Sequence, residues 1–413
     1  LTSSGASMCP PDVSPLRDKL RRLGVAGPSG ALPRGPGAGR AGREGVEVVR
    51  ARYGLDHRYG RWSLGEALDL VAKGPELHRL GPDGGGGRVE DRRPPPRTVW
   101  LDTETTGLAG GTGTYAFLVG VAYLEDGAVV VEQFLLRRLS AEGVLLDAVR
   151  ERLGEEVHLV TYNGLRFDWP ILEARFVLAR REPPATVHTD LIRPARRLWH
   201  RVLGTHRLSV LEAEVLEASR GEDVPGWQIP GLYLHYLHSD DRGVLDPVLR
   251  HNRADLLALV ALHGQVVHAL RDPDGAGTHL DWEGAGVLLA RLGEHRRAAA
   301  CFERALRETW EPRARWRTLR RLAGQERLLG DVARCRHRWE EEALLWTSPD
   351  RYRVQVLEEL ARIREAGGDL AGARDAASAA LEVALSVSRA PGGEALAPVA
   401  RRLDRRLRRL RGA

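Results

Sequence analysis

The sequence predicts an α/β fold, a mixed sheet flanked by helices, followed by an all-α region of helical hairpins. Three apolar, strand-like runs lie in quick succession at about 97–103, 115–124 and 128–136, and Asp126-Gly127 is a two-residue hairpin turn between the last two. A helix-patterned run from Ser140 to Leu153 and a further strand at 157–162 come next, so one sheet contains both antiparallel and parallel pairings. Further on, Gly293-Glu294, Gly330-Asp331 and Gly368-Asp369 recur 37 and 38 residues apart, each between two helical runs.

Taken in order, residues 1–45 are rich in Gly, Pro, Ala and Arg without apolar periodicity, which predicts disorder. Residues 46–79 regain pattern. Val46 and Val48 flank Glu47, and Trp62 to Lys73 reads as a short helix, together a small packing arm. Residues 80–97, with Gly84 to Gly87 and three prolines between Arg92 and Arg97, read as a linker. Residues 98–272 hold the strands above and then mainly helix, with Ser140 an expected N-cap, Gly154 a helix stop and a short strand at 186–188. Residues 280–413 form the helical region. Its last run, Arg401 to Arg411, sets Leu403, Leu407 and Leu410 on one face among arginines, as a capping helix or a phosphate-contacting tail would.

Composition bounds the function. The 413 residues are 43% hydrophobic and 29% charged, enough for two or three domains. A formal charge of +6, with Arg far exceeding Lys, suits a nucleic-acid partner. Cys9, Cys301 and Cys335 make no C-x-x-C pair, so neither a zinc site nor a disulfide framework is expected, as in a reducing cytosol. No apolar run reaches the ~18 residues of a membrane span, and no secretion-signal pattern is legible. A cytoplasmic location is the expectation. Gly107 to Gly113 is glycine-rich but lacks the Gly-Lys-Ser/Thr of a nucleotide-binding loop.

The chemistry begins at Thr98-Val-Trp-Leu-Asp-Thr-Glu-Thr-Thr-Gly107. Alternate strand residues share a face, so Asp102 and Glu104 lie side by side. Two adjacent carboxylates repel unless a cation sits between them, and hard oxygen ligands suit Mg²⁺ or Mn²⁺. Alone the pair is weak evidence, because many exposed strands carry such a pair by chance. More carboxylates follow. Asn163-Gly-Leu-Arg-Phe167-Asp168-Trp-Pro170 comes after the strand and puts Asp168 at a helix mouth. His251-Asn-Arg-Ala-Asp255 opens a long apolar helix with His251 and Asp255 on one face.

This order resembles the DEDD exonuclease superfamily, and the wording is most similar to the YprB-like RNase H-like proteins. Arg196-Arg-Leu-Trp199, Arg207-Leu-Ser-Val-Leu-Glu212, Asp223-Val-Pro-Gly226 and Ile229-Pro230 fit as well, and the resemblance covers roughly residues 46–270. It implies an RNase H-like sheet and a 3′→5′ exonuclease acting on single-stranded DNA or RNA ends with two Mg²⁺ or Mn²⁺ ions, which in such sites lie ~3.5–4 Å apart. Asp102 would bridge the ions, Glu104 and Asp255 would complete one, and Asp168 would reach the other. His251 departs from the pattern. One branch of the superfamily has Tyr four residues before the last Asp and another has His five before it, whereas here a His stands at the Tyr spacing. It is either the general base or an ordinary exposed His at a helix start. Thr106 and Gly107 could meet the terminal sugar, and Asn163 and Phe167 a base, or these residues shape the loops around them. Asp190 reads as a helix cap before it reads as a ligand. The helical hairpins resemble tetratricopeptide repeats, a surface for a protein partner. A catalytically silent nucleic-acid-binding or scaffold protein on the same fold is the alternative, as is an assembly protein working through its repeats.

Overall fold

The computed structural model describes residues 39–74, 77, 97–107, 113–390 and 396–411, with Gly39–Arg43 described by backbone alone. The expected linker at 80–97 falls outside these residues except for Arg97, as does most of the glycine loop after Gly107.

The described residues divide into two compact units. The first holds those up to Lys73, those from Arg97 to Ile192, and Leu208–Gly264; the second holds Arg193–Arg207 and those from Gln265 onward. The expected boundaries at 272 and 280 therefore shift, because Arg193–Arg207 and Gln265–Asp272 cluster with the helical region.

The first unit is built on a seven-stranded sheet. Its strands are β1 (Gly39–Arg43), β2 (Val46–Gly54), β5 (Thr98–Thr105), β6 (Ala116–Glu125), β7 (Ala128–Leu136), β8 (Glu156–Thr161) and β9 (Ala185–Asp190). Arg58–Tyr59 and Trp62–Ser63 are β3 and β4, a separate two-stranded ribbon. The sheet order is β1-β2-β7-β6-β5-β8-β9. β5, β6 and β7 form the expected antiparallel meander, while β8 and β9 join it in parallel. Asp126 and Gly127, both at positive φ, turn β6 into β7 and leave Glu125 opposite Ala128, the short twisted turn a hairpin favours.

Two expectations fail here. β1 puts an ordered strand inside the stretch 1–45 expected to be disordered. β2, the start of the stretch read as a small packing arm, is more than a packing segment: it pairs along its whole length with β7 and extends the main sheet. Its pattern, buried at Val46 and Ala51 and half-buried between them, is that of a strand near a sheet edge.

Helices cover the sheet. α1 (Leu64–Lys73) starts two residues later than expected because Trp62 and Ser63 pair in the ribbon; Ser63 and Glu66 then cap each other reciprocally. α2 (Glu142–Leu153) is preceded by a 3₁₀ turn at Leu139–Ala141, so Ser140 is not its N-cap, but Gly154 does end it at positive φ. α3 (Asp168–Leu178) follows β8, α4 (Ile192–Leu203) follows β9, and α5 (Leu208–Glu214), α6 (Ile229–Ser239) and α7 (Asp246–Arg271) come after. Val99 and Leu101 join a core with Leu145, Leu146 and Val149 of α2 and with Ile229, Tyr233 and Tyr236 of α6. Phe117 stacks on Tyr233 at 3.9 Å, which ties β6 to α6.

The other face of β5 carries Trp100, Asp102 and Glu104 and meets α7. Trp100 packs edge-on to His263 at 6.0 Å. α7 lies close because β6 has Gly120 opposite Asp102, and a Cβ there would come within 2.2 Å of Asn252 Oδ1. His251 sits in the second turn of α7, not at its start, since the helix begins at Asp246.

The second unit is helical: α8 (Trp282–Arg291), α9 (His295–Glu308), α10 (Pro312–Leu328), α11 (Val332–Leu345), α12 (Arg351–Ala366), α13 (Leu370–Arg389) and α14 (Ala397–Arg411). Gly293, Gly330 and Gly368 all adopt positive φ and separate α8 from α9, α10 from α11 and α12 from α13. Asp331 and Asp369 cap the helices that follow. Leu403, Leu407 and Leu410 of α14 are buried, as their spacing predicts.

Candidate metal centre and active site

β5 carries Asp102 and Glu104 toward α7, and α7 returns His251 and Asp255 on one face. Among the described residues, ligand atoms of Glu104, His251 and Asp255 lie within 4.8 Å of one another. His251 Nε2 is 3.3 Å from Asp255 Oδ2 and 3.9 Å from Glu104 Oε1. Asp102 stands beside this triplet. Asn252, fully buried on α7, donates to Asp102 Oδ2 at 2.8 Å and to its carbonyl at 3.3 Å. Gln133 of β7 donates to Asn252 Oδ1 at 2.8 Å, which fixes the amide so that its NH₂ faces the carboxylate.

Asp168 arrives from the far side, at the start of α3. Its Oδ1 accepts from the Thr103 backbone N–H at 3.0 Å and from the Thr103 hydroxyl at 2.6 Å. The loop before it is held by Asp190, whose Oδ1 accepts from the N–H groups of Asn163 at 2.6 Å and Ile192 at 3.2 Å, while Oδ2 accepts from Leu165 at 3.2 Å. Asp190 closes β9, bonds the first N–H of α4 across Leu191, and clamps the loop that aims Asp168. Asn163 takes a left-handed turn, φ 66, which Asn tolerates better than most residues.

The electrostatics are those of crowded acids. Burial, then the charges of Asp255, Glu104 and Asp168, hold Asp102 well above the ordinary carboxylate range. Burial pushes Glu104 up to about 8 against the pull of His251, with Asp255 and Asp168 adding to the rise. Burial raises Asp168 to about 6 despite its bonds to Thr103. Burial alone would lower His251, but its hydrogen bond to Asp223 and the charges of Asp255 and Glu104 outweigh that and raise it to about 8.

Three residues essential to this arrangement have no expected role in the sequence reading. Asp223 holds His251 Nδ1 with both oxygens at 2.9 Å, leaving Nε2 turned toward Glu104 and Asp255. Arg220, nearly buried, pairs with Glu212, Asp223 and Asp255. Asn252 orients Asp102. Glu212 and Asp223 do fall inside phrases that carry the resemblance, but only the fold shows that they converge on one arginine. The packing arm contributes here as well: Tyr59 of β3 donates its hydroxyl to Glu212, and Arg61 N–H donates to the Leu216 carbonyl at 2.7 Å.

The residues expected to meet nucleic acid divide in two. Phe167 is half exposed next to Asp168. Thr106 is engaged internally: its N–H donates to the Tyr115 carbonyl and its hydroxyl accepts from the Tyr115 N–H, both at 3.0 Å, which closes the neck of the glycine loop beginning at Gly107.

The donor set fits a divalent cation. Four carboxylates supply its oxygens, with the His251 ring beside them, and an added positive charge would relieve the upward shifts of Asp102, Glu104 and Asp168. Arg220 already supplies one positive charge to Asp255.

Comparison with known proteins places this geometry. Residues 99–267 match the model of the RNase_H superfamily. That segment is an RNase_H superfamily domain. The chain is also 36% identical over 222 residues to the uncharacterized protein YprB of Bacillus subtilis (strain 168), a match covering 52% of each chain. It therefore spans about half the length of this curated relative. No helix among the described residues is long and apolar enough to cross a membrane.

Proposed function

We propose that this protein is a metal-dependent nuclease that hydrolyses phosphodiester bonds, a 3′→5′ exonuclease on single-stranded DNA or RNA ends. The observation that supports this most is the convergence of Asp102, Glu104, Asp168 and Asp255, 153 residues apart in sequence at their extremes, with His251 among them. The superfamily domain supports nuclease chemistry in general. The four carboxylates would hold one or two Mg²⁺ or Mn²⁺ ions. When bound, such ions neutralise charge developing on phosphorus and make water a better nucleophile.

The chain's own groups have separable tasks. Asn252 and Gln133 hold Asp102 in a single orientation, and Thr103 does the same for Asp168. Asp223 accepts from His251 Nδ1, so the neutral ring keeps its free lone pair on Nε2, the nitrogen facing the carboxylates. That nitrogen can take the proton from an attacking water. Phe167 offers an exposed ring on which a terminal base can stack, worth ~1–3 kcal/mol. Thr106 and Gly107 would meet the terminal sugar, and Asn163 would act through the shape of the Asp168 loop.

A second reading has one observation behind it. Arg220 already neutralises Asp255, as a silent nucleic-acid-binding module without metal would need. Oligonucleotides labelled at the 5′ end and, separately, blocked by a 3′-phosphate distinguish the two. The nuclease reading expects a Mn²⁺-dependent ladder on the free 3′ end and a slower one on the blocked end. A bound but intact oligonucleotide in Mn²⁺ would favour the silent module, and internal cuts of both substrates would exclude the exonuclease.

A further inference from the structure

We propose that the helical unit carries its own binding groove for a phosphodiester strand, between α10, α12 and α14. The groove has a volume of about 810 Å³ and is lined by seven arginines against two glutamates, with Trp316 at one wall. Three carboxylates hold four of these arginines upright: Glu358 pairs with Arg402, Glu359 with Arg362, and Glu365 with both Arg406 and Arg409. Arg320 and Arg405, both exposed, have no carboxylate partner among the described residues. Their guanidinium groups are therefore the ones available to an incoming anion.

The lining favours phosphate over other anions. Guanidinium forks match phosphate oxygens two at a time and stay charged at any working pH. Arg320 stands over the Trp316 ring, 5.8 Å from its centre, so a planar cation and an aromatic ring occur together, a pairing that suits bases as well as phosphates. The choice of a nucleic-acid strand as occupant, over an acidic polypeptide, rests on the proposed hydrolysis of such strands by the first unit. The arginine pattern of α14, read in sequence as a cap or a phosphate-contacting tail, serves both purposes. Its leucines pack inward, and Arg402, Arg405, Arg406 and Arg409 line the groove.

The test uses the full chain in EDTA. Without divalent cations nothing is hydrolysed, and the acidic cluster of the first unit repels phosphate, so binding reports the rest of the molecule. Anisotropy of fluorescein-labelled oligothymidylate is measured for the parent, for R320E/R405E, for the milder R320Q/R405Q, and for R296E/R307E. The last pair makes the same charge change at exposed positions of α9 outside the groove. The groove predicts at least a ~10-fold loss for R320E/R405E and a smaller loss for the glutamine pair. It also predicts a drop of about 1.4 in the slope of log affinity against log salt for the charge-reversed pair, as two phosphate contacts vanish. The control pair should stay within about twofold. Equal weakening by the two charge-reversed pairs would overturn the groove, since net charge alone would then explain binding. Polyglutamate competing as well as unlabelled oligothymidylate would also overturn it, in favour of an acidic polypeptide. Cleavage in Mn²⁺ is scored separately on the parent. If it is absent while the groove effect persists, only the hydrolytic reading fails.

Discussion

Asp102 and its neighbours are arranged for a charge the polypeptide does not fully supply. Burial first, and neighbouring acids second, shift the carboxyls of Asp102, Glu104 and Asp168 upward, so each costs stability while ionised and unmatched. Asp102→Asn removes one of these acids and keeps an acceptor for Asn252. In metal-free protein it should raise the melting temperature, read by calorimetry; a lowered one would mean that Asp102 is held chiefly by its hydrogen bonds. His251 is tested by rate. Removing a positioned base costs ~10²–10⁴-fold. His251→Ala should lose activity in that range while Mn²⁺ affinity changes little, and His251→Tyr should recover part of it. Parental turnover by His251→Ala would make the ring a bystander. Residue spacing puts Asp102 beside Glu104 and His251 beside Asp255, because a strand and a helix each repeat with a known period, but only the resemblance joins the two pairs into one expected site. Arg220, Asp223 and Asn252 are not legible. Their partners come from elements far apart in the chain, and nothing local marks a loop arginine as the counter-ion of three acids.

Among the secondary-structure elements, the contact between β6 and α7 is the one on which the site depends. Gly120 leaves room for Asn252, and an added methyl would also come within 2.8 Å of Leu256. Gly120→Ala should cost ~1–3 kcal/mol by denaturant unfolding, as overpacking does, and should weaken Mn²⁺ binding by displacing the Asp102–Asn252 pair. Unchanged stability would show that α7 can move away freely. Further along α7, His263 is buried against Trp100 and His158, and its Nδ1 has no hydrogen-bond partner among the described residues. Burial first, and His158 second, depress its pKa to about 3. A depressed histidine contributes stability above the unfolded pKa of ~6.5, and that stability is lost as pH falls toward 3, at up to ~1.4 kcal/mol per pH unit. His263→Leu should therefore flatten unfolding free energy against pH between about 6.5 and 3. An identical slope in parent and variant would contradict the burial argument. Apolar run length and turn chemistry made the meander, the Asp126-Gly127 hairpin and the Gly154 stop legible. That β2 joins the main sheet was not legible, because its half-buried pattern does not say which strand it pairs with. Ser140 was misread as a cap because a 3₁₀ turn intervenes before α2.

The whole molecule joins an RNase_H superfamily domain to a helical unit whose groove is lined by arginine. Seven arginines line that groove, while Asp102, Glu104, Asp168 and Asp255 lie on β5, α3 and α7. The proposed division of labour follows from that separation: one unit grips phosphates, and the other presents carboxylates that need cations before phosphate can approach. Its central claim is that the carboxylate cluster cleaves phosphodiester bonds when a divalent cation is supplied. The most direct measurement is release of nucleotides from a single-stranded oligonucleotide by the parent and by Asp102→Asn, each with Mn²⁺ and with EDTA. The account predicts release by the parent in Mn²⁺ and none in the other three samples. Equal release by parent and Asp102→Asn in Mn²⁺, or by the parent in EDTA, would contradict it.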